Sequence, residues 1–173
     1  MISDELEVLS QIRIRPADGA DADALGAIYN HYVTQTVATF EEQALSAAEV
    51  VARIQAVQAM ALPWLIAEQD GTVLGYAYAT RWKQRASYRL STETTVYLQP
   101  GCSGRGIGSA LYEQLLRALR ARGIHTAVGG IALPNEASVA LHEKFGFEKV
   151  AQFREIGFKL GRWVDVGYWQ KIL

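Results

Sequence analysis

The sequence predicts one mixed α/β domain, and three observations lead to that prediction. Segments with strand-like and helix-like hydrophobic periods follow one another as strand, two helices, three strands, helix, strand, helix and two strands. A glycine-rich segment at residues 99–110 joins a predicted strand to a strongly amphipathic helix. The 173 residues, of which 50% are hydrophobic and 20% charged, are enough for one sizeable core.

The N-terminal third supplies the first strand and two helices. Isoleucines near residues 12–14 predict a short strand, and Asp21 or Asp23 is placed to cap the helix that follows. Ser46, with Glu49 three residues later, has the pattern of a capping box at the start of the second helix.

The middle of the chain predicts three strands. An Asp-Gly turn at residues 70–71 separates two apolar runs, at residues 64–67 and 73–79, which is a strong hairpin signal. The alternating residues 94–98 then predict the strand that leads into the glycine-rich segment.

Two helices and three strands are predicted after that segment. Leucines at every fourth position predict a helix that stops at Gly123, and residues 126–133 read as a buried strand. A second helix opens at Asn135 and ends at Gly146. The last two strands are expected at residues 148–158 and 163–171, joined by a turn at Gly161 and Arg162.

Composition excludes several classes of partner. The formal net charge is −1, from 17 basic and 18 acidic residues, so we expect neither nucleic-acid nor membrane binding. A single cysteine, Cys102, and three separated histidines argue against a disulfide or a metal site. Residues 1–10 form an acidic extension with no signal-peptide pattern, so we expect a soluble cytoplasmic protein.

The glycine-rich segment is typical of a pyrophosphate-binding turn. Glycines permit positive φ and close ligand approach, and the following helix offers unpaired N–H groups. A P-loop is excluded because Ile107 and Gly108 stand where Lys and Ser or Thr would be needed. The dinucleotide fingerprint fails because Ser109 occupies the third glycine position. A tight turn with no ligand is the alternative.

Two segments resemble the GNAT acyltransferase superfamily. Residues 103–108, SGRGIG, are similar to its coenzyme A loop Arg/Gln-x-x-Gly-x-Gly/Ala, with Ser103 at the Arg/Gln position. Residues 135–147 are similar to its Asn-x-x-Ala-x-x-Leu-Tyr-x-x-x-Gly-Phe helix, with His142 in place of the tyrosine.

Seven separated blocks, between about residue 12 and residue 173, resemble the phosphinothricin N-acetyltransferase family, which includes acetyltransferases of methionine sulfoximine and methionine sulfone. The blocks are IYNHY (28–32), ATFE (38–41), GYAYA (75–79), WK (82–83), ETTVY (93–97), ALPN (132–135) and GRWVDVGYWQ (161–170).

The resemblance implies one GNAT-type domain over residues 1–173, with a mixed, twisted sheet of six to seven strands flanked by four helices. It implies direct acetyl transfer from acetyl-coenzyme A to the amine of a small amino-acid-like acceptor, in a ternary complex. It also implies a homodimer in which Lys159 and Trp163 border the acceptor pocket.

The donor-binding residues are implied by the same resemblance. The main chain of the strand residues would pair with the pantetheine arm, with the Leu98 amide as oxyanion donor, and the loop amides would bind the pyrophosphate. The residues are Val96, Tyr97, Leu98, Gly104, Arg105, Gly106, Ile107, Gly108, Ser109, Asn135 and Lys144.

Glu93 and His142 are the candidate catalytic residues. An ammonium must lose a proton before it attacks, so Glu93 is expected either to take that proton or to bind the ammonium. The alternative is an exposed carboxylate paired with Arg85 or Arg89. His142 is a chemically suitable acid for the leaving thiolate, and a structural hydrogen bond on its helix is its alternative role.

Five residues are expected around the acceptor. Arg85 or Arg89 would bind its carboxylate, beside Tyr88, unless this segment is only a solvated hairpin tip. Phe40 and Glu41 match the family's first interhelical loop. Two other functions stay open, namely acetylation of a polyamine or a peptide N-terminus, and a coenzyme A sensor without turnover.

Overall fold

The computed structural model of the protein describes residues 12–173, and the extension predicted at residues 1–10 lies outside that range. The helices are α1 (Ala22–Gln35), α2 (Ala47–Ala59), α3 (Ile107–Ala121) and α4 (Glu136–Lys144). The strands are β1 (Arg13–Pro16), β2 (Trp64–Gln69), β3 (Thr72–Arg81), β4 (Ser91–Leu98), β5 (Thr126–Leu133), β6 (Glu148–Lys159) and β7 (Arg162–Ile172). This order confirms the predicted α/β domain.

All seven strands form one mixed sheet in the order β1-β2-β3-β4-β5-β7-β6. Neighbouring strands run antiparallel except β4 and β5, which are parallel. This parallel pair joins the half of the sheet built from the first four strands to the half built from the last three.

The parallel pair is short. Residues 91–93 of β4 pair with residues 126–128 of β5, and the pairing ends there although both strands continue. Beyond that point β4 is held by β3 as far as Leu98, and β5 is held by β7 as far as Leu133. The two halves of the sheet therefore separate and leave an opening between β4 and β5.

Helices cover both faces of the sheet near this opening. The Tyr97 ring contacts the rings of Tyr29 and Tyr32 on α1, whereas Thr94 bonds Tyr112 on α3. Residues three apart on a strand point to opposite faces, so α1 and α3 pack on opposite sides of β4. The predicted leucine stripe of α3 is buried, with Leu111, Leu115 and Leu119 at 0% exposure.

Most of the predicted helix and turn signals are confirmed. Ser46 and Glu49 form the capping box of α2. Gly123 and Gly146 follow the ends of α3 and α4 with positive φ. Asp70 and Gly71 both adopt positive φ in the turn between β2 and β3, as a two-residue hairpin turn requires.

Two local predictions were wrong. Asp18 caps the 3-10 turn before α1, and Asp21 stands at the N-cap of α1 without a side-chain cap bond. The Asp21 carboxylate instead accepts bonds of 2.7 and 2.9 Å from Arg15, which lowers its pKa. The last hairpin turn is formed by Leu160 and Gly161, since Arg162 already belongs to β7.

In residues 12–173, no helix has the length and apolar character needed to cross a membrane.

Candidate active site

A cavity of about 380 Å³ occupies the opening between β4 and β5. The β4 side contributes residues 93–98, and the β5 side contributes residues 130–132. The remaining lining residues are Tyr32, Ala38, Thr39, Ser103, Asn135, Ala137, Ser138, Leu141 and His142. The cavity therefore connects the loop after α1 with the glycine loop (residues 99–110) and α4.

Alternation along β4 decides which of its backbone groups face the cavity. Gln99 N–H donates to Leu74 C=O on β3 at 2.9 Å. The opposed residues Leu98 and Gly75 are therefore a non-hydrogen-bonded pair of the antiparallel ladder. The backbone groups of Val96 and Leu98 therefore point away from β3, towards the opening. Those of Tyr97 point to β3 and are occupied there.

Tyr32 uses one of these exposed groups. Its hydroxyl donates to Leu98 C=O at 2.6 Å, which confirms that this carbonyl faces away from β3. The Leu98 N–H shares that orientation, because the N–H and C=O of a residue in a non-hydrogen-bonded pair both point away from the partner strand. The end of β4 thus presents a backbone donor to the cavity, held in place by an α1 side chain.

The glycine loop presents further backbone donors. Gly101, Gly104 and Gly106 have φ of 85°, 78° and 77°, which side chains with a Cβ rarely adopt. Gly106 is the N-cap of α3 and no side chain caps that helix. A Cβ at Gly101 or Gly104 would meet no atom within 4 Å, so the loop surface is open. Such a surface suits a phosphate group.

The polar residues beside the loop are already held in place. Asn135 lines the cavity and caps α4 by accepting from Ser138 N–H at 3.1 Å. Lys144 donates to the Ser109 hydroxyl at 2.9 Å. Arg105 lies 3.7 Å from the buried Cys102 Sγ. Lys144 and Arg105 therefore place two cations next to the loop amides.

Glu93 faces the cavity with its carboxylate available. The Glu93 carboxylate makes no hydrogen bond or ion pair with any residue between 12 and 173, so the pairing with Arg85 or Arg89 is not present. Burial raises the pKa of Glu93, and the charge of Lys83 opposes that shift. Its Oε1 would lie 3.0 Å from a Cβ at Gly130, so the glycine makes room for the carboxylate.

His142 is buried, with 3% of its surface exposed, and both ring nitrogens are engaged. Nδ1 lies 2.7 Å from Ser138 C=O, and Nε2 lies 2.7 Å from the Tyr112 hydroxyl. Burial lowers the pKa of His142, so at pH 7 the ring is neutral. A carbonyl only accepts, which assigns the ring proton to Nδ1 and makes Nε2 the acceptor for Tyr112.

Two consecutive glycines allow Glu93 and His142 to approach β5 from its opposite faces. A Cβ at Gly129 would lie 2.2 Å from His142 Nε2, and a Cβ at Gly130 would meet Glu93. The carboxylate and the imidazole therefore sit on the two sides of the sheet and both border the opening. The structure brings together the two predicted catalytic residues, each with its own chemical environment.

Five residues predicted around the acceptor lie outside the cavity lining. Arg85, Tyr88 and Arg89 belong to an exposed turn between β3 and β4. Phe40 packs against Gly157 of β6. Glu41 accepts bonds of 2.8 and 2.9 Å from Arg53, and this partner lowers the pKa of Glu41.

Sequence reasoning missed Lys83, the cation whose charge acts on Glu93. Lys83 Nζ lies 4.7 Å from the centre of the Trp82 ring, and that ring meets Tyr168 edge-on at 5.6 Å. A Cβ placed on Gly130 would contact both the Tyr168 ring and the Glu93 carboxylate, so these two side chains lie close together over Gly130. The available signal was the WK block, in which a lysine follows an aromatic residue just after the apolar run of β3.

Lys159 and Trp163, proposed to border the pocket, have different surroundings. Lys159 is buried and donates to Thr39 C=O at 2.7 Å and to Tyr32 C=O at 3.4 Å, so it fixes the loop after α1. Burial lowers the pKa of Lys159. Trp163 is 60% exposed and packs against Phe158. Between residues 12 and 173, no cluster of three His, Cys, Asp or Glu side chains is arranged to hold a metal ion.

The chain is similar in sequence and in fold to known acetyltransferases. A family model for the acetyltransferase (GNAT) domain matches residues 14–167. A phosphinothricin N-acetyltransferase of Streptomyces coelicolor is 38% identical over 178 residues, covering 95% of this chain and 98% of the relative. An L-methionine sulfoximine/L-methionine sulfone acetyltransferase of Salmonella typhimurium is 37% identical, covering 91% of this chain and 92% of the relative.

The fold is shared with solved structures of the same group. A GNAT superfamily phosphinothricin acetyltransferase from Sinorhizobium meliloti, in complex with AcCoA, superposes with a TM-score of 0.91. It is 35% identical, and the match covers 94% of this chain and 89% of that chain. With a domain match over most of its length and relatives well above 30% identity, this chain belongs to the GNAT family of acetyltransferases.

Proposed function

We propose that the protein transfers an acetyl group from acetyl-coenzyme A directly to the α-amine of a small amino acid. The acceptors we expect are phosphinothricin, methionine sulfoximine and methionine sulfone. The observation that carries the proposal is the unpaired edge of β4, which runs from the glycine loop to Glu93 inside one cavity. The relatives named above act on acceptors of this kind, and one was solved with AcCoA.

The residues present fit acetyl-coenzyme A, which when bound supplies a reactive thioester. The open amides of the glycine loop and the cations Arg105 and Lys144 are suited to its pyrophosphate. The backbone groups of Val96 and the N–H of Leu98 are suited to an amide-containing arm that adds as a strand would. We assign the Leu98 N–H to stabilising the charge that develops on the acetyl oxygen.

Glu93 is assigned to the acceptor's ammonium. Its carboxylate has no competing partner among residues 12–173, and its raised pKa makes it a better proton acceptor than an ordinary surface glutamate. The carboxylate binds the ammonium first and takes the proton when the amine attacks, so both roles proposed from the sequence are compatible. Cys102, the only cysteine, is buried at the glycine loop, which favours direct transfer over an acyl-enzyme.

Lys83 is assigned to the acceptor's carboxylate. An α-amino acid presents opposite charges a few ångströms apart, and its site needs the complementary pair. Glu93 supplies the negative member, and Lys83 is the cation whose charge reaches Glu93. Arg85 and Arg89, the earlier candidates, lie on the same exposed turn as Lys83, but Lys83 is the one whose charge acts on Glu93. A polycationic acceptor such as a polyamine would not favour a lysine at this place.

His142 is assigned to protonating the coenzyme thiolate. In its neutral form the Nδ1 proton is committed to Ser138 C=O, so the ring must first gain a proton at Nε2. The helix bond offered as its alternative role is present in the same structure. The two roles are compatible when the bond to Ser138 holds the ring and the Nε2–Tyr112 bond of 2.7 Å breaks as Nε2 gives its proton to the thiolate.

A homodimer is also proposed, with the hairpin of β6 and β7 in the interface. β6 is an edge strand of 12 residues, and long exposed edges favour pairing with another chain. Large apolar side chains on this hairpin are about half exposed: Val150, Phe153, Ile156, Phe158, Leu160 and Trp163. Such a patch marks an association surface. The hairpin also carries Lys159, which fixes the loop after α1.

The acceptor specificity can be tested by thiol release from acetyl-coenzyme A. We expect release to accelerate with methionine sulfone, methionine sulfoximine or phosphinothricin, and much less with the decarboxylated amine of methionine sulfone. Lys83→Met should raise KM for the amino acid about tenfold or more, because the ion pair between Lys83 and the acceptor's carboxylate is lost. The KM for acetyl-coenzyme A should not change.

Arg85→Met is the matched control, since it removes a neighbouring exposed cation. It should leave the acceptor KM near the wild-type value. Rapid acetylation of spermidine or a peptide N-terminus, with none of the amino acids, would contradict the proposed acceptor class. Binding of coenzyme A with no turnover of any amine would indicate a sensor.

Glu93→Gln should lower the activity of the protein and raise its stability. We expect kcat/KM to fall by roughly 10²-fold, and its rise with pH on the acid side to flatten, because the proton acceptor is gone. Since burial raises the pKa of Glu93, the folded state holds that proton more tightly than the unfolded state. The ionised carboxylate therefore opposes folding at neutral pH, and that effect vanishes below the unfolded pKa.

Glu93→Gln should accordingly raise Tm at pH 7.5, as measured by calorimetry, with a smaller gain at pH 4. A lower Tm at pH 7.5 would show that the carboxylate has a structural partner and would contradict this assignment. An unchanged pH profile of kcat/KM would remove Glu93 from the role of base.

Light scattering tests the dimer. We expect a mass near twice the 19.1 kDa of the chain, and a monomer for the double variant Ile156→Asp, Phe158→Asp, because charges at the centre of an apolar interface oppose association. Tyr88→Asp, at an exposed aromatic residue on the turn between β3 and β4, is the control and should stay dimeric. A fully active wild-type monomer would contradict the proposal.

A further inference from the structure

Behind the cavity, one chain of hydrogen bonds joins α4, α3, β4 and β5. Starting from Ser138 C=O, it passes through His142 Nδ1 and Nε2 at 2.7 Å each to Tyr112 Oη. Tyr112 Oη lies 2.7 Å from Thr94 Oγ1, and Thr94 Oγ1 lies 3.2 Å from Val128 C=O. The two ends of the chain are carbonyls, which only accept.

With neutral His142 the donors must run in one direction. Nδ1–H donates to Ser138, so Nε2 is an acceptor and the Tyr112 hydroxyl donates to it. Tyr112 Oη then accepts from Thr94, which leaves Val128 C=O without the Thr94 proton.

With His142 protonated the donors must run in the other direction. Both ring nitrogens donate, so Tyr112 Oη accepts from Nε2–H and turns its own proton to Thr94. Thr94 turns its proton to Val128 C=O. Each hydroxyl keeps its proton, and the only proton gained is the one on Nε2. All donors in the chain are paired in both states.

Among the described residues packed against the ring, no other group stabilises its charge. From α3 it faces Tyr112, and from the segment after α4 it faces the Phe147 ring at 5.1 Å. From β5 it faces the Gly129 backbone. Burial raises the pKa of Tyr112 well above its ordinary value, so the phenol stays protonated.

The charged residues nearby point elsewhere. Glu93 borders the cavity from the other face of the sheet, and its charge acts on Tyr112. Glu143, next to His142 on α4, accepts from the Trp169 indole at 3.1 Å. Lys144 bonds Ser109. The hydroxyl chain is thus the polar contact through which the ring can accommodate a second proton.

We propose that Tyr112 and Thr94 are positioning residues that allow buried His142 to exist in both protonation states. They reverse donor direction when Nε2 gains a proton, and the reversal adds a Thr94 bond to Val128. Val128 pairs with Glu93 in the last residue pair before β4 and β5 separate. The protonation of His142 is thereby coupled to the point where the cavity opens. The catalytic use of this coupling rests on the proposed function.

Thr94→Val tests the chain, because valine is nearly isosteric and lacks the hydroxyl. Neutral His142 keeps its Tyr112 donor in this variant. Protonated His142 does not keep a paired chain, because the Tyr112 proton loses its acceptor. We expect the His142 titration, followed by long-range ¹H–¹⁵N NMR of the substrate-free protein, to move to lower pH. Thr94→Ser, which restores the hydroxyl, should titrate close to wild type.

Equal titration of the wild type and Thr94→Val would overturn the proposal, as would a wild-type spectrum of the Nε2–H neutral tautomer. Should Thr94→Val fail to fold by circular dichroism, Tyr112→Phe replaces it and should also titrate at lower pH. A purely structural role would lower Tm and leave the titration in place.

Activity measurements keep this proposal separate from the function. If His142 protonates the thiolate, the alkaline limb of the kcat profile moves with the NMR titration in Thr94→Val. A moved titration with an unmoved kcat profile would support the chain and would contradict the catalytic assignment of His142.

Discussion

The early end of the pairing between β4 and β5 is the constraint on which the site depends. Three residue pairs hold the two halves of the sheet together, after which β4 follows β3 and β5 follows β7. Had the parallel ladder continued, the backbone groups of Val96 and Leu98 would be occupied and the cavity would be closed. The catalytic candidates gather around this point, with Glu93 in the last pair and His142 beside the following glycine.

An unpaired strand edge inside a protein is costly unless something satisfies it. Here Tyr32 satisfies the Leu98 carbonyl, and Lys159 holds both Tyr32 and the neighbouring loop through their carbonyls. The groups left for a ligand are backbone N–H donors of β4 that point into the cavity. The same reasoning applies to Glu93, whose unpaired carboxylate opposes stability at the position that we propose for the acceptor's amine.

The order of the elements followed from the sequence because it depends on local signals. Leucines every four residues and the Asp-Gly turn specify α3 and the first hairpin without knowledge of distant residues. The positions of side chains around the site depend on packing, and there the prediction was poorer. Arg85 and Arg89 looked suited to a carboxylate, yet it is the charge of Lys83, on the same exposed turn, that acts on Glu93, and Glu41 is paired with Arg53.

Contacts between distant segments were out of reach for the same reason. Tyr112 read only as part of the buried stripe of α3, and its bond to His142 joins residues 30 apart in the chain. Asp21 read as a cap, because Arg15 and the short β1 that positions it give no strong local signal. Lys159, on an otherwise exposed strand, is buried only because the loop after α1 folds over it.

Residue-resolved hydrogen exchange tests whether the edge of β4 is open in the free protein. We expect the Val96 and Leu98 amides to exchange rapidly in the free protein and to become protected when coenzyme A is added. The Tyr97 amide, already bonded to β3, should be protected in both conditions. Slow exchange of Val96 and Leu98 without ligand, or no added protection with it, would contradict an open β4 edge that receives the donor.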